Sequence, residues 1–243
     1  MESFFARHRS KPVTIELYDL AGAEEDRRFS PNCWRIKLAL KHKGLPFDAK
    51  AWRFTEKDRI EFSGQGKVPV IVDKGRTVFD SWDIAQYLDE AYPDRPSLLG
   101  GESGRALSRF ITDWAEATVH AGLFPMVVAD IWAHTHEKDR AYFRATREKQ
   151  LGRTLETAAA DREARLPAFR ASLTPLRRML ARQSFISGIA PAWSDFAVFG
   201  GFQWARCISP FQLLASDDAV YQWRERMLDL FDGEARKAVG YVV

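Results

Sequence analysis

The stretch RRFSPNCWRIKLALKHKG, residues 27–44, sets a hydroxyl and a thiol three positions apart, Ser30 and Cys33, at the mouth of a segment with helical apolar spacing. In a C-x-x-C pair both positions are sulfur and can exchange through an internal disulfide. Here the first is a hydroxyl, so that chemistry is excluded. Two uses of Ser30 remain. Serine is a favoured N-cap and Pro31 suits the first helical position, which makes capping the commoner use. The same geometry gathers free N–H groups and partial positive charge, which favour a thiolate over a thiol. A thiolate held there would belong to a ligand. Cys33 lies one turn inside, on the apolar face, where a buried thiol is inert.

Further along, GKVPVI carries Pro69 inside a strand pattern, which reads as an edge, a bulge or a cis peptide after Val68. Gly64 and Gly66 just before it allow a tight approach of the backbone. Asp80 and Ser81 stand before another helical stretch. Ser81 reads as its cap, with free N–H groups able to hold a carboxylate, and Asp80 could pair with an ammonium. An α-amino acid end carries both groups on one carbon. His134 and His136 lack the i,i+4 spacing that puts two ligands on one helical face, so they read as solvated or capping and no metal site is expected. Most of the eight tryptophans read as core. Phe29, Trp114, Phe124 and Met126 are placed to line an apolar pocket beside Ser30.

The elements that must position these groups divide in two. PVTIELYDL alternates like a half-buried strand, and a helix follows from Pro31, with Cys33, Ile36 and Leu40 on one face and Gly44 as its stop. PFDAKAW reads as a second strand, KVPVIVDKGRTVF as a hairpin around Asp73-Lys74-Gly75, and DSWDIAQYLDEAY as a helix with Ile84, Ala85, Leu88 and Ala91 inward. This β-α-β, β-β-α order forms a small α/β unit. YPDRPSLLGGESG is a boundary in composition. Beyond it the pattern is helical throughout, with Phe110, Trp114, Ala117 and Ala121 on one face and an Arg-rich amphipathic stretch over 138–165 whose simplest reading is an exposed face. The expected division is an N-terminal extension at 1–11, an α/β domain at 12–95, a linker at 96–102 and an all-helical domain at 103–243.

Composition narrows the function. Thirty-six basic and 33 acidic residues leave a net charge of +3, with no like-charged tail, and give no reason to expect nucleic acid. The opening MESFFARHRS does not read as a signal peptide, and no run approaches the ~18 apolar residues that span a bilayer. Two cysteines far apart argue against a disulfide framework and for a reducing compartment, hence a cytoplasmic protein without a membrane partner.

The ordered set SPNCWR, KVPV, FDSWDIAQYL, then a linker and a helical domain resembles the cytosolic glutathione transferases. More narrowly, residues 27–44 with SDFAVFGGFQWARCISPF and WRERMLDLFDG resemble the bacterial β-etherases of lignin degradation and the related fungal transferases. The resemblance implies a thioredoxin-like N-terminal domain, a C-terminal helical bundle, glutathione as cofactor, a small aromatic substrate and a homodimer. It implies that Ser30 contacts the glutathione sulfur, assisted by Asn32. Val68, presented by cis Pro69 and beside Lys67, would pair with the cysteinyl part, and Asp80 and Ser81 would hold the γ-glutamyl end. Arg53 or Lys57 would meet the glycine carboxylate. The implied reaction is thiolate displacement of a phenolate from a β-aryl ether, with a broader transferase or a non-catalytic binder of aromatic compounds as alternatives. One position departs from the family: Ala192 stands where a Ser or Thr often precedes the Asp at 195, so either Ser194 caps that helix or the helix starts differently.

Overall fold

A computed structural model describes residues 14–243, and the expected extension at 1–11, with Pro12 and Val13, lies outside the described residues. Alternation along β1 (Ile15–Leu20) buries Ile15 and Leu17 at the centre of a four-stranded sheet. Its order is β2-β1-β3-β4, with β2 (Phe47–Trp52) parallel to β1, and β3 (Val70–Asp73) and β4 (Arg76–Phe79) added antiparallel. The hairpin turns at Lys74 and Gly75, both at positive φ, while Asp73 ends its strand. This is the α/β order expected from the sequence.

Helix α1 (Pro31–His42) crosses between β1 and β2, with Ser30 as its N-cap. It stops in a Schellman motif, in which Gly44 at φ 63° donates to the Lys41 carbonyl and Leu45 donates to that of Leu40. Helix α2 (Ser81–Ala91) buries Ile84, Ala85 and Leu88 as expected, but Tyr87 replaces Ala91 on the inward face. The reason is polar: the Tyr87 and Tyr92 hydroxyls donate to the buried Asp73 carboxylate at 2.8 and 2.6 Å. Asp89 ties the linker down, accepting from the Leu98 and Leu99 N–H groups and pairing with buried Lys43 at 2.8 Å.

Then comes a helical rod: α3 (Gly101–Trp114), a π-helical stretch (Ala115–His120) and α4 (Ala121–His134). Pro125 sits inside α4, where it cannot donate to the residue 121 carbonyl, and the wider π turn directly upstream relieves that crowding. The predicted face of Phe110, Ala117 and Ala121 points outward; Ser108, Thr112, Ala115 and Val119 are buried instead. The Arg-rich stretch is three helices, α5 (Glu137–Leu151), α6 (Leu155–Ala160) and α7 (Arg162–Ser172), with Gly152 at φ 65° breaking the run. Helix α8 (Thr174–Leu180) follows.

Helix α9 (Trp193–Ile208) is buried along its whole length and packs more extensively on α1 than on any other element. It starts at Ala192 without a side-chain cap. Asp195 compensates, accepting from the N–H groups of Ile186 and Ser187 and from the Trp223 indole, while Ser194 lies against Ser108. Helix α10 (Ala219–Lys237), kinked at Leu230–Gly233, closes the bundle. No helix among the described residues is long and apolar enough to cross a membrane.

Candidate functional site

The start of α1 lies between two cavities. A polar one of about 640 Å³ is lined by Asn32, Gln65, Gly66, Lys67, Val68, Pro69, Phe79, Asp80 and Ser81. An aromatic one of about 500 Å³ is walled by Phe29, Phe54, Phe124, Phe143 and Trp204, with Pro31, Arg147 and Gln150. Lys67, Glu116 and His120 belong to both linings, so the two are halves of one cleft.

Ser30 is buried and lines neither half itself; its neighbours in the chain do, Phe29 and Pro31 on the aromatic wall and Asn32 on the polar wall. Its oxygen accepts the Cys33 N–H at 3.2 Å, which satisfies one orphan donor of the first turn and leaves its own proton to donate. The Asn32 side-chain oxygen is buried without a hydrogen-bond partner among the described residues. Burial, then the Asp19 carboxylate, push the Cys33 thiol far above its ordinary value, and the Ser30 hydroxyl pulls the other way without overcoming them. Cys33 is therefore a neutral core thiol. Cys33 and Cys207 are both free and buried.

In the polar half, the Val68–Pro69 peptide is cis. The cap of α2 is Asp80, not Ser81: Asp80 sits at φ 65° and its carboxylate accepts the Trp82 N–H at 2.8 Å. Ser81 instead occupies the first helical position, with its hydroxyl 3.4 Å from the Arg35 guanidinium. Arg35, fully buried between α1 and α9, donates to the Ala197 carbonyl and pairs with Glu116 at 2.9 Å, leaving one guanidinium nitrogen without a partner among the described residues. A positive charge thus sits directly behind the first turn of α2.

Not every predicted residue reaches the cleft. Arg53 donates to the Gly22 carbonyl, and Lys57 lies 5.5 Å from the Tyr142 ring and covers Gly66; neither lines the cleft. Lys67 is the basic residue at the junction. Trp114 belongs to a separate apolar pocket with Phe110 and Met179, because the π stretch turns its face away. Met126 is fully buried in the core. Phe29 and Phe124 do line the aromatic half.

Other lining residues escape sequence reasoning. Glu116 and His120 lie one turn apart on the π stretch, and only Pro125 hinted that this helix was irregular. The Nε2 atom of His120 is buried with no hydrogen-bond partner among the described residues. Burial, then the Arg35 charge, hold its pKa well below the ordinary histidine value, so the ring is neutral at neutral pH. Gly201 makes room for it, since a Cβ there would fall 2.7 Å from the ring. Gly200 does the same for α1, where a Cβ would lie 2.4 Å from the Pro31 carbonyl oxygen. Trp204 stacks on Phe124 with centroids 6.1 Å apart. Phe54 is fixed from the other domain: the buried Asp139 carboxylate accepts the Phe54 N–H at 2.9 Å and the Thr55 N–H at 3.2 Å. Arg147, expected on an exposed face, spreads over Phe54 and Phe143 instead, and burial lowers its pKa from the usual guanidinium value.

Comparison with known proteins finds two family matches along the chain. The family described as glutathione S-transferase, N-terminal domain, matches residues 29–91, and that described as glutathione S-transferase, C-terminal domain, matches 106–226. A probable glutathione S-transferase GSTU1 of Oryza sativa subsp. indica is 31% identical over 145 residues, 55% of this chain and 60% of that protein. The match therefore spans less than two thirds of that relative. The structure resembles the glutathione transferase GSTFuA2 of Phanerochaete chrysosporium, with a TM-score of 0.74 and 26% identity over 93% of this chain and 94% of the other. It also resembles the transferase CsGST83044 of Ceriporiopsis subvermispora, solved in complex with glutathione, at a TM-score of 0.72 and 26% identity over 92% and 95%.

Proposed function

We propose that this chain, which belongs to the glutathione S-transferase superfamily, binds glutathione in the polar half of its cleft and uses the thiolate to displace a phenolate from a β-aryl ether ketone held in the aromatic half. The observation that carries this reading is the continuity of the two halves across Lys67, Glu116 and His120, at the leading turn of α1. In this reading Asp80 and Ser81 hold the γ-glutamyl end, the Val68 backbone meets the cysteinyl unit, and Lys67 meets the glycine carboxylate.

A free thiol with pKa about 8.5 is only a few per cent ionised at neutral pH. Lowering it by about two units requires about 2.7 kcal/mol of preferential stabilisation of the anion. The Ser30 hydroxyl, donating to sulfur, supplies about 1.5–3 kcal/mol, and the helix start about 0.3–1 kcal/mol. Ser30 is thus a hydrogen-bond donor and neither nucleophile nor base. Sulfur attacks the carbon bearing the aryloxy group, the C–S bond forms as the C–O bond breaks, and the electron pair leaves with oxygen. Neutral His120 and cationic Lys67 stand at the seam where that negative charge develops. The aromatic walls suit two rings, and the cavity volume falls within the roughly 300–1,000 Å³ of small-molecule sites. Glutathione and two free, buried cysteines both suit a reducing, cytoplasmic setting. A second copy would sit on the exposed Leu107 and Phe110 of α3.

The test is incubation with glutathione and an aryloxy ketone that releases a fluorescent phenol. Release by the wild type and its loss in Ser30→Ala support ether cleavage. Turnover of aryl halides alone would replace it with a general transferase, and tight binding of dyes without turnover of either class would replace it with a carrier.

A further inference from the structure

Most arginines around Arg147 are paired with acids; Arg140, which has no ion pair among the described residues, instead donates to the Thr135 carbonyl beside the Trp132 ring. Arg144 pairs with Glu148 and Glu156, Arg153 and Arg165 with Asp161, and Arg162 with Asp130. Arg147 has no carboxylate within ion-pair distance among the described residues; its one side-chain hydrogen bond runs to the Thr146 hydroxyl at 3.3 Å. Its guanidinium lies 5.6 Å from the centroid of the Phe54 ring and 5.1 Å from that of Phe143, and it lines the aromatic cavity. The acid shared between the two halves, Glu116, is already taken by Arg35 at 2.9 Å. Lys67, the other cation of the lining, is given to the glycine carboxylate in the reading above, so Arg147 is the cation left to answer. The aromatic half therefore carries an uncompensated positive charge against an apolar wall. Such a charge costs free energy unless something it binds neutralises it.

We propose that the aromatic half of the cleft selects substrates bearing an acidic group, and that Arg147 receives that group, a ring carboxylate, through its paired N–H donors. The fork geometry of a guanidinium matches a carboxylate with two parallel hydrogen bonds. The flat faces of Phe54 and Phe143 hold the guanidinium plane, so little freedom is lost when the anion arrives. This rests on the reading of the cavity as the electrophile site and adds a charge requirement to it. The acid is a specificity handle remote from the reacting carbon: it takes no part in bond making, and its binding orients the ring that carries it.

The experiment uses the full chain saturated with glutathione and follows quenching of tryptophan fluorescence, to which Trp204 contributes from the cavity wall. The probes are an unreactive aryl ether carrying a ring carboxylate and its methyl ester. The wild type is expected to bind the acid about 10- to 100-fold more tightly than the ester, the range of a charged hydrogen bond. Arg147→Met, which keeps bulk and removes charge, should bring the ratio to about one or below. Arg147→Lys should keep part of the preference. Glutathione affinity and the ionisation of its bound thiol should be unchanged in both variants. Equal wild-type binding of acid and ester overturns the proposal. So does a preference that survives Arg147→Met and disappears in Lys67→Met. Because binding needs no turnover, a wild type that prefers the acid yet leaves glutathione un-ionised would sink the etherase reading and leave the charge preference standing.

Discussion

Replacing Ser30 by glycine separates the two duties of one hydroxyl. The oxygen caps the Cys33 N–H at 3.2 Å, and in the proposed mechanism its proton goes to sulfur. Loss of a serine cap costs about 1 kcal/mol when alanine replaces it but only a few tenths with glycine. Ser30→Gly should therefore unfold within about 0.5 kcal/mol of the wild type, while Ser30→Ala loses about 1 kcal/mol. Both variants lack the donor, and a hydrogen bond to an anion is worth about 1.5–3 kcal/mol, or roughly one to two pH units of thiol ionisation. Titrating the ultraviolet absorbance of the bound thiolate should find the wild-type complex ionising near pH 6.5 to 7.5 and both variants about one to two units higher. At neutral pH this removes roughly two thirds to nearly all of the reactive anion, and turnover should fall about 3- to 75-fold in proportion. Denaturant unfolding of each variant in parallel reports the cap separately. If glutathione bound to Ser30→Gly ionises as readily as in the wild type, the donor role is wrong and the serine is a cap alone.

Three other outcomes follow from contacts described above. Burial would raise the Asp89 pKa, but the Lys43 ammonium and the Leu98 and Leu99 N–H groups outweigh it and hold the carboxyl below its usual value. Its contribution is therefore present above the unfolded value of about 3.9 and lost as pH falls through the lower folded value. Asp89→Asn should cost about 2–3 kcal/mol at neutral pH, with the deficit closing in acid; a deficit independent of pH in denaturant melts would refute this. Gly200→Ala drives a methyl to 2.4 Å from the Pro31 carbonyl oxygen, so it should cost about 1–3 kcal/mol and raise the KM for glutathione by shifting the first turn of α1. Unchanged melting and kinetics would show that α1 and α9 can slide apart freely. His120→Phe keeps the ring and removes the donor, so ether cleavage should slow about ten-fold with poorly acidic phenols and little with acidic ones. Equal slowing across a series of leaving groups would assign the ring a packing role.

Much of the architecture was legible because it rests on local rules. The strand alternation of Ile15 and Leu17, the Schellman stop at Gly44 and the Lys74-Gly75 turn each follow from a few neighbouring residues. In the polar half, Pro69, Asp80 and Ser81 stood out from their local strand and cap patterns, while Asn32, Lys67 and Val68 came from the family resemblance; all six line one wall. What stayed hidden depends on distant contacts. Tyr87 turns inward because Asp73, on another element, needs its hydroxyl. Ser81 yields the cap to Asp80 because the positive φ of residue 80 carries that carboxylate back to the Trp82 N–H. Trp114 lines a separate apolar pocket and Met126 lies in the core, on either side of a π-helical stretch that residue types alone do not announce. Arg147 looked solvated because a run of charges on an amphipathic helix carries no sign of the two phenylalanines across from one member.

The π stretch has an evolutionary corollary. An α-helix advances about 100° per residue, so the surplus of one widened turn sets the azimuth of α4 against that of α3. Upstream, the rod shows Leu107 and Phe110 to solvent; downstream, it delivers Phe124 into the cleft. Excising a single residue between Ala115 and His120 would restore an unbroken ladder and swing one of those two faces out of alignment. Insertions and deletions in this short window are thus a coarse dial on what the cleft accommodates, with effects that single substitutions along the same rod could not reproduce.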